Sequence, residues 1–592
     1  MEITPKILLQ NADLYGAESA LSVRDQEGNW HQTNWSDLYA EIMDISKALF
    51  ACGVGINDKV SIYSYNRKEW YAGYLAAQTI GGVAVGVYHT CSSQEVEWIV
   101  GNSDSKVVFV GDNPMDNGEK EKMPNHRILK ILDNLPQVET VVMMSGIEVL
   151  NHEKMISWED FIGRGKDISV NTVTDILDKL TLDHTACLIY TSGTTGNPKG
   201  VELTYKNWSF EIRVSNEIFK FNQGERYVSW LPLAHVFGQL IDVNYWVQNG
   251  LHLYICDSPL KVVDYAKEVQ PHLFIGVPRI YEKIYSNLKS AIDGKAILKY
   301  GLKIPGLSTL LKGKLKEAIG FTDARFLISG AAPINTDILH LFQSLDIPLF
   351  EGYGMTENAA AATANHGNAN KIGTVGQAIP ETEIKIAKDG EILMRGDHVM
   401  KGYYKNPEAT NETIIDGWLY TGDVGEIDDE GFLKITGRKK EIYVTSGGKN
   451  IAPLIIEETM KSISLLSQCF LVGDGRKYCS ALFTLDVSAI LRDKLGVDAN
   501  AIPKDPEGQI IMLNEKGHTL SDFTENEDIY SEIQAQVDVL NTRFSNPEQV
   551  KKFSILSRDL TIDDGELTPT LKIRRKQIRD NWDSVIESMY TE

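Results

Sequence analysis

Short, continuously apolar runs recur along this chain and set its architecture: KVSIYS (59–64), KVVFVG (106–111), ETVVMM (139–144), ACLIYTSG (186–193), HLFIGV (272–277) and ARFLISG (324–330). Several do not alternate polar with apolar. Strands of that kind are covered on both faces, as in a parallel sheet flanked by helices. Helical stretches separate them. In TNWSDLYAEIMDISKALFACG, Leu38, Ile42, Ile45 and Leu49 fall on one face, Thr33 or Asn34 can cap the start, and Gly53 can end it. The alternation predicts an α/β fold. At 592 residues the chain exceeds one core, so two or more domains are expected.

One stretch resembles a membrane span and is decided by its punctuation. Residues Trp70 to Gln94 include no Asp, Glu, Lys or Arg. A membrane helix needs about 20 continuous apolar residues, whereas Gln78 and Thr79 interrupt the middle here and Gly81-Gly82 divides it. We read a buried helix, a glycine break and a buried strand, with no transmembrane segment.

The 59 basic and 81 acidic residues give a net charge of −22. That balance argues against a nucleic-acid partner, whose binding needs a basic surface. Small anionic ligands remain compatible, because a few local cations and N–H groups outweigh the global field. Cys52, Cys91, Cys187, Cys256, Cys469 and Cys479 form no Cys-x-x-Cys pair and read as reduced thiols of a cytoplasmic protein. The opening MEITPKILLQ carries acid and proline without an apolar signal core, so secretion is not expected.

After about Tyr420 the texture changes to charged hairpins. A smaller α+β unit is expected to follow, with a helix starting near Pro453. The acidic stretch from Asp498 to Glu532 reads as a surface insertion.

The chemistry begins at YTSGTTGNPKG (190–200). Thr191, Ser192, Thr194 and Thr195 supply hydroxyls, Gly193 and Gly196 let backbone approach an anion, and Lys199 adds one cation. The flanks ACLIY and VELTY both read as strands. A Walker loop leads into a helix and needs Gly-Lys-Ser/Thr, which Pro198 before Lys199 excludes. The stretch is nevertheless expected to bind phosphate.

It resembles the phosphate-loop signature of the adenylate-forming superfamily of acyl-CoA synthetases, luciferases and peptide-synthetase adenylation domains. Further motifs follow in that family's order: LPLAHVFGQ (231–239), ISGAAPI (328–334), EGYGMTE (351–357), GWLYTGDVG (417–425), TGRKKEIYVTSGGKNIAP (436–453) and LTPTLKIRR (567–575). EGYGMTE and the TPTLK ending are similar to long-chain fatty-acid–CoA ligases, including the bubblegum-like group. The resemblance implies a large multi-sheet N-terminal domain (1–436) holding ATP and the acid, and a smaller mobile α+β domain (437–592).

It also implies roles. Gly330, Ala331 and Ala332 wall the adenine pocket. In Glu351, Gly352 and Tyr353, the glycine leaves room for a flat ring and the tyrosine offers a stacking face. Thr356 lies near the α-phosphate, Glu357 binds Mg²⁺, and Thr191 is a second contact to the metal. Asp423 accepts from ribose hydroxyls, and Arg438 is another nucleotide contact. His235 positions the acid rather than removing a proton, since an ionised carboxylate needs none removed. Lys572 is the catalytic cation that offsets charge as carboxylate meets phosphate. Relatives often carry Gly before it, where this chain has Leu571.

Lys440 matches a hinge, and Gly448 matches the border of the pantetheine tunnel. The implied activity is ATP-dependent acyl-adenylate formation with release of pyrophosphate. Acyl transfer to CoA follows, with a long-chain fatty acid as substrate. The alternative is an adenylating enzyme that loads a separate carrier protein. The cations after Lys572 read as a solvated helix face, a contact for CoA phosphate or a peripheral contact with a membrane.

Overall fold

The computed structural model describes residues 2–591 apart from 117, 192–196, 368, 447–449, 500, 563 and 569–571. Ser192, Gly193, Thr194, Thr195, Gly196 and Gly448 therefore lie outside the described residues. The apolar runs become strands of two large sheets. An eight-stranded sheet runs Gly402–Tyr403, Lys199–Thr204, Thr185–Thr191, Val83–Val87, Lys59–Tyr63, Ser105–Val110, Thr140–Met143 and Met155–Ile156. Its interior is parallel, and its first two strands run antiparallel to their neighbours. A nine-stranded sheet is centred on parallel Arg226–Ser229, Leu273–Gly276, Phe326–Ser329 and Leu349–Tyr353. Every residue of Val83–Val87 and Leu273–Gly276 is buried, as their unbroken apolarity predicts.

The membrane-like stretch opens as helix Lys68–Thr79, buried from Glu69 onward. Gly73 faces the first sheet, where an added Cβ would lie 3.2 Å from Phe109. Tyr71 bonds Ser229 of the second sheet, and Tyr74 donates to Gln239 Oε1 at 3.0 Å. The absence of charge from Trp70 to Thr79 thus comes from lying between two sheets. Gly81 (φ +73) breaks the chain before strand Val83–Val87. Among the described residues, no helix is long and apolar enough to cross a membrane. Helix Trp35–Ala51 starts at Asn34, whose side chain accepts from Asp37 N at 2.7 Å.

A third sheet includes Glu383–Ile386, Glu391–Arg395, Trp418–Ile427 and Leu433–Arg438. The main core spans Ile3 to Ala409. From Tyr443 onward the buried residues form separate clusters around strands Leu466–Val472, Cys479–Leu485 and Val550–Ile555, with helix Pro453–Met460 alongside.

The expected surface insertion at 498–532 is corrected by the structure. Pro506–Glu515, Ser521–Thr524 and Glu527–Asn541 are helices, and Leu513, Phe523, Ile529 and Ile533 are buried in the C-terminal core. The apolar residues are sparse in an acidic background. The i, i+4 spacing of Ile529, Ile533 and Val537 is the signal that reveals them.

Candidate active site

Strands Thr185–Thr191 and Lys199–Thr204 form the antiparallel base of the hydroxyl-rich loop, with Thr191 opposite Lys199. Thr191 Oγ1 donates to Lys199 O at 3.5 Å. The Lys199 ammonium lies 4.8 Å from the Tyr403 ring centroid, and Tyr403 Oη donates to Glu357 Oε1 at 2.8 Å. Through Tyr403, the loop base meets the EGYGMTE segment. Nothing in the sequence singled Tyr403 out, because its partners come from two distant motifs.

Glu357 is buried and forms no ion pair among the described residues. Burial pushes its carboxyl up, while Tyr403, Arg438 and Lys199 pull it down. A buried carboxylate short of positive charge suits a hard cation. No cluster of three or more His, Cys, Asp or Glu fit to hold a metal occurs among the described residues. That donor set fits Mg²⁺, which takes one or two carboxylates and completes its shell with phosphate oxygens and water.

Strand Leu349–Tyr353 lies parallel to Phe326–Ser329, so Glu351, Gly352 and Tyr353 end beside the turn carrying Gly330, Ala331 and Ala332. Ala331 has φ +68, a left-handed conformation costly for a residue with Cβ. A Cβ on Gly354 would meet Ala360 O at 2.1 Å, so this close crossing requires glycine. Burial raises the Glu351 carboxyl to about 8. At neutral pH it is mainly protonated and can both donate and accept. Tyr353 Oη donates to Asp423 Oδ2 at 2.6 Å, and Arg438 Nε lies 3.2 Å from Asp423 Oδ1. Each oxygen of the candidate ribose acceptor is thereby oriented.

Lys572 arrives from the C-terminal core. Its N–H donates to Thr568 Oγ1 at 3.0 Å, and Thr568 N–H donates to its carbonyl at 2.8 Å. Arg575 fixes this segment: it binds Glu457 at 2.8 and 2.6 Å and Glu441 at 3.0 Å. The Lys572 side chain is open to cleft water, so what it senses is enclosure by cleft walls rather than a packed core. That enclosure and then Arg438 lower its ammonium to about 8, against the pull of Asp423, Glu357 and Glu441. Thr191, Lys199, His235, Gly330, Ala331, Ala332, Glu351, Gly352, Tyr353, Thr356, Glu357, Asp423, Arg438, Lys440 and Lys572 all line one cleft of about 3310 Å³.

The family model for AMP-binding enzymes matches residues 9–404 of this chain. The chain belongs to the AMP-binding, adenylate-forming enzymes. This adenylate-forming enzyme is 31% identical over 594 residues to the long-chain-fatty-acid–CoA ligase FadD15 of Mycobacterium bovis, covering 95% of this chain and 93% of that protein. It is 30% identical over 634 residues to the long-chain-fatty-acid–CoA ligase ACSBG2 of Xenopus laevis, covering 99% of this chain and 83% of that protein. In fold it is similar to the adenylation domain of the carboxylate reductase from Mycobacterium chelonae. The TM-score is 0.76 at 18% identity, with 100% of this chain and 91% of that one covered.

In this adenylate-forming enzyme, His235 N-caps the turn Val236–Gly238, which runs directly into a π-helix, Gln239–Tyr245. Phe237 N–H donates to His235 Nδ1 at 3.2 Å. A backbone N–H can only donate, so the neutral ring carries its proton on Nε2. Burial, and then Lys572, lower this imidazole to about 3. It is a neutral donor near pH 7, suited to positioning. Around it in the chain, Trp230, Val236, Leu240 and Ile241 give the cleft an apolar lining, joined by Phe219 and Tyr245.

Among the described residues, three ion pairs tie the C-terminal core to the N-terminal one. Arg574 meets Glu95 at 3.2 Å, Arg543 meets Asp337 at 3.9 Å, and Lys504 pairs with Asp264. Lys440 is exposed in the turn Lys439–Glu441, between the last strand of the third sheet and Tyr443 of the C-terminal core. Neighbouring Lys439 is held by Asp389 at 2.7 Å and Glu391 at 2.9 Å.

Proposed function

We propose that this adenylate-forming enzyme is a long-chain fatty-acid–CoA ligase. A fatty carboxylate attacks the α-phosphate of ATP, forming acyl-adenylate and expelling pyrophosphate. CoA thiol then attacks the acyl carbon, giving the thioester and AMP. The observation that carries the reading is the meeting of Lys572, from one core, with Glu357, Asp423, Arg438 and His235 of the other, beside an apolar cleft wall.

Each group takes a role that its surroundings support. Lys572 offsets negative charge as the two anions approach, a need met by a cation already held at the reacting phosphate. His235 donates through Nε2–H to the carboxylate and fixes its direction. Asp423 accepts from the ribose, while Tyr353 presents its ring to adenine. Glu351, mostly protonated, offers adenine one donor and one acceptor. Glu357, with Thr191 as a further contact, would hold the Mg²⁺ that accompanies ATP and neutralises phosphate charge.

We take 1–436 and 437–592 as the two domains and Lys440 as the hinge. The change of core between Leu433 and Tyr443 and the exposure of Lys440 support this division. The long-chain substrate rests on the two ligases of about 30% identity and on the apolar lining beyond His235. Each buried methylene contributes about 0.8 kcal/mol, so chain length can be read by contact alone.

The test supplies ATP, Mg²⁺ and a panel of carboxylic acids of increasing length, with and without CoA. Pyrophosphate release that rises with chain length, and acyl-CoA only when CoA is added, is the expected result. Adenylate formation from small aromatic or amino acids in preference to fatty acids would overturn the substrate. Gly448→Leu is expected to block thioester formation more than adenylate formation, and equal losses would count against the tunnel.

A further inference from the structure

We propose that residues 289–316 dock this enzyme on an anionic lipid bilayer. Helix Pro278–Gly294 forms part of the cleft wall, through Lys283, Ser286, Lys289 and Ser290 among others. It packs against the next helix, Ala296–Gly301, which is followed by Leu307–Ile319. The inward side of this pair accounts for its packing. Leu298 and Leu302 lie against the main core, Leu311 and Leu315 are buried, and a Cβ on buried Gly301 would come 2.7 Å from Leu311.

The outward side carries a second apolar set that the packing does not use. Ile297 is 65% exposed, Tyr300 63%, Ile304 51% and Leu310 58%. Ile297 and Tyr300, three apart on helix Ala296–Gly301, share a face; Ile304 follows in the turn, and Leu310 opens the next helix. Scattered exposed apolar residues need no explanation, but four large ones between positions 297 and 310 do.

Charge selects the occupant. Residues 289–316 contain seven lysines and one acid, Asp293, a net charge of +6 in a chain whose total is −22. Lys295, Lys299, Lys303 and Lys314 are exposed and have no ion-pair partner among the described residues. Apolar side chains among lysines on two surface helices and the turn between them match the headgroup region of an anionic membrane. There each lysine strengthens partitioning roughly fivefold. A second copy of the chain would present the same positive charge and repel. Nucleic acid offers nothing to four large apolar groups. An acid drawn from that membrane reaches the cleft wall one helix away. That purpose rests on the lipid-acid substrate proposed above, whereas the binding itself does not.

The test is sedimentation of the full chain with vesicles of equimolar phosphatidylserine and phosphatidylcholine, against phosphatidylcholine alone, without ATP or acid. Salt-sensitive binding to the anionic vesicles is expected. One variant combines Ile297→Ser, Tyr300→Ser, Ile304→Ser and Leu310→Ser, and another combines Lys295→Glu, Lys299→Glu, Lys303→Glu and Lys314→Glu. Each is expected to lose about 100-fold or more in partitioning, while pyrophosphate release with a water-soluble short acid stays unchanged. Wild-type protein left in the supernatant overturns the proposal, as does undiminished binding by both variants. So does a dimer that the serine variant abolishes when no vesicle binding is seen. Failure of the acid panel leaves the vesicle result standing, so the two readings fail separately.

Discussion

Tyr353 Oη donates to Asp423 Oδ2 at 2.6 Å, across 70 positions of chain, so the candidate adenine-stacking ring also orients the candidate ribose acceptor. Tyr353→Phe keeps the ring and frees the carboxylate. A hydrogen bond to a charged group contributes about 1.5–3 kcal/mol. KM for ATP is therefore expected to rise about tenfold or more, with kcat changed much less. Steady-state pyrophosphate release checks it. A fall in kcat at constant KM would place Tyr353 in the chemical step instead.

Lys572→Ala is expected to reduce fatty-acid-dependent pyrophosphate release by about 100- to 1000-fold, the scale for losing one preorganised charge-stabilising group. Much of the ATP binding should survive, because Asp423, Tyr353 and Glu351 remain. Pyrophosphate release and equilibrium nucleotide binding, measured on the same variant, separate the two. Normal release would remove Lys572 from its role.

The pH profile tests the cleft's electrostatics. Lys572, lowered to about 8, carries its charge below that value and loses it as pH rises through it. Glu351, raised to about 8, ionises in the same window. The kcat/KM for ATP reports the free enzyme, so it should fall above pH about 8. Glu351→Gln, a neutral isostere of the protonated acid, should leave activity near neutral pH almost unchanged and isolate the lysine limb. Lys572→Arg should move that limb upward. With His235 lowered to about 3, no histidine limb is expected near neutral pH.

Glu357→Gln separates function from stability. Burial raises this carboxyl, so the fold disfavours its charged form. Removing the charge should raise the thermal midpoint of the ligand-free protein at neutral pH. Activity with ATP and Mg²⁺ should fall about 100-fold or more, because the amide is a poor ligand for a hard cation. Lost activity together with a lowered midpoint would point to a structural role.

The Arg574–Glu95 pair, 3.2 Å apart and partly exposed, holds the lysine-bearing segment against the N-terminal core. Such a pair contributes about 0.5 kcal/mol. Arg574→Ala and Glu95→Gln should each slow adenylate formation roughly twofold, and the double variant no further. Gln retains the capping box that Glu95 makes with Ser92. Thioester formation from preformed acyl-adenylate should be unaffected. Additive losses in the double variant would show that the two residues act independently.

Local patterns along the chain were enough for the elements and the inventory of chemistry. Unbroken apolar runs gave parallel strands, the spacing from Leu38 to Leu49 gave a helix, and Gly81-Gly82 marked the break after the buried helix. The strands flanking the hydroxyl-rich loop were legible for the same reason: periodicity and turn residues are local. Which charges meet is a matter of long-range packing. Tyr403 touches Glu357, Arg438 faces Asp423, and Lys572 comes within electrostatic range of both carboxylates. Read locally, each of those charges fits a solvated surface as well as a site. Their convergence on one cleft follows from the packing of two separately cored units, and no window of sequence contains that contact.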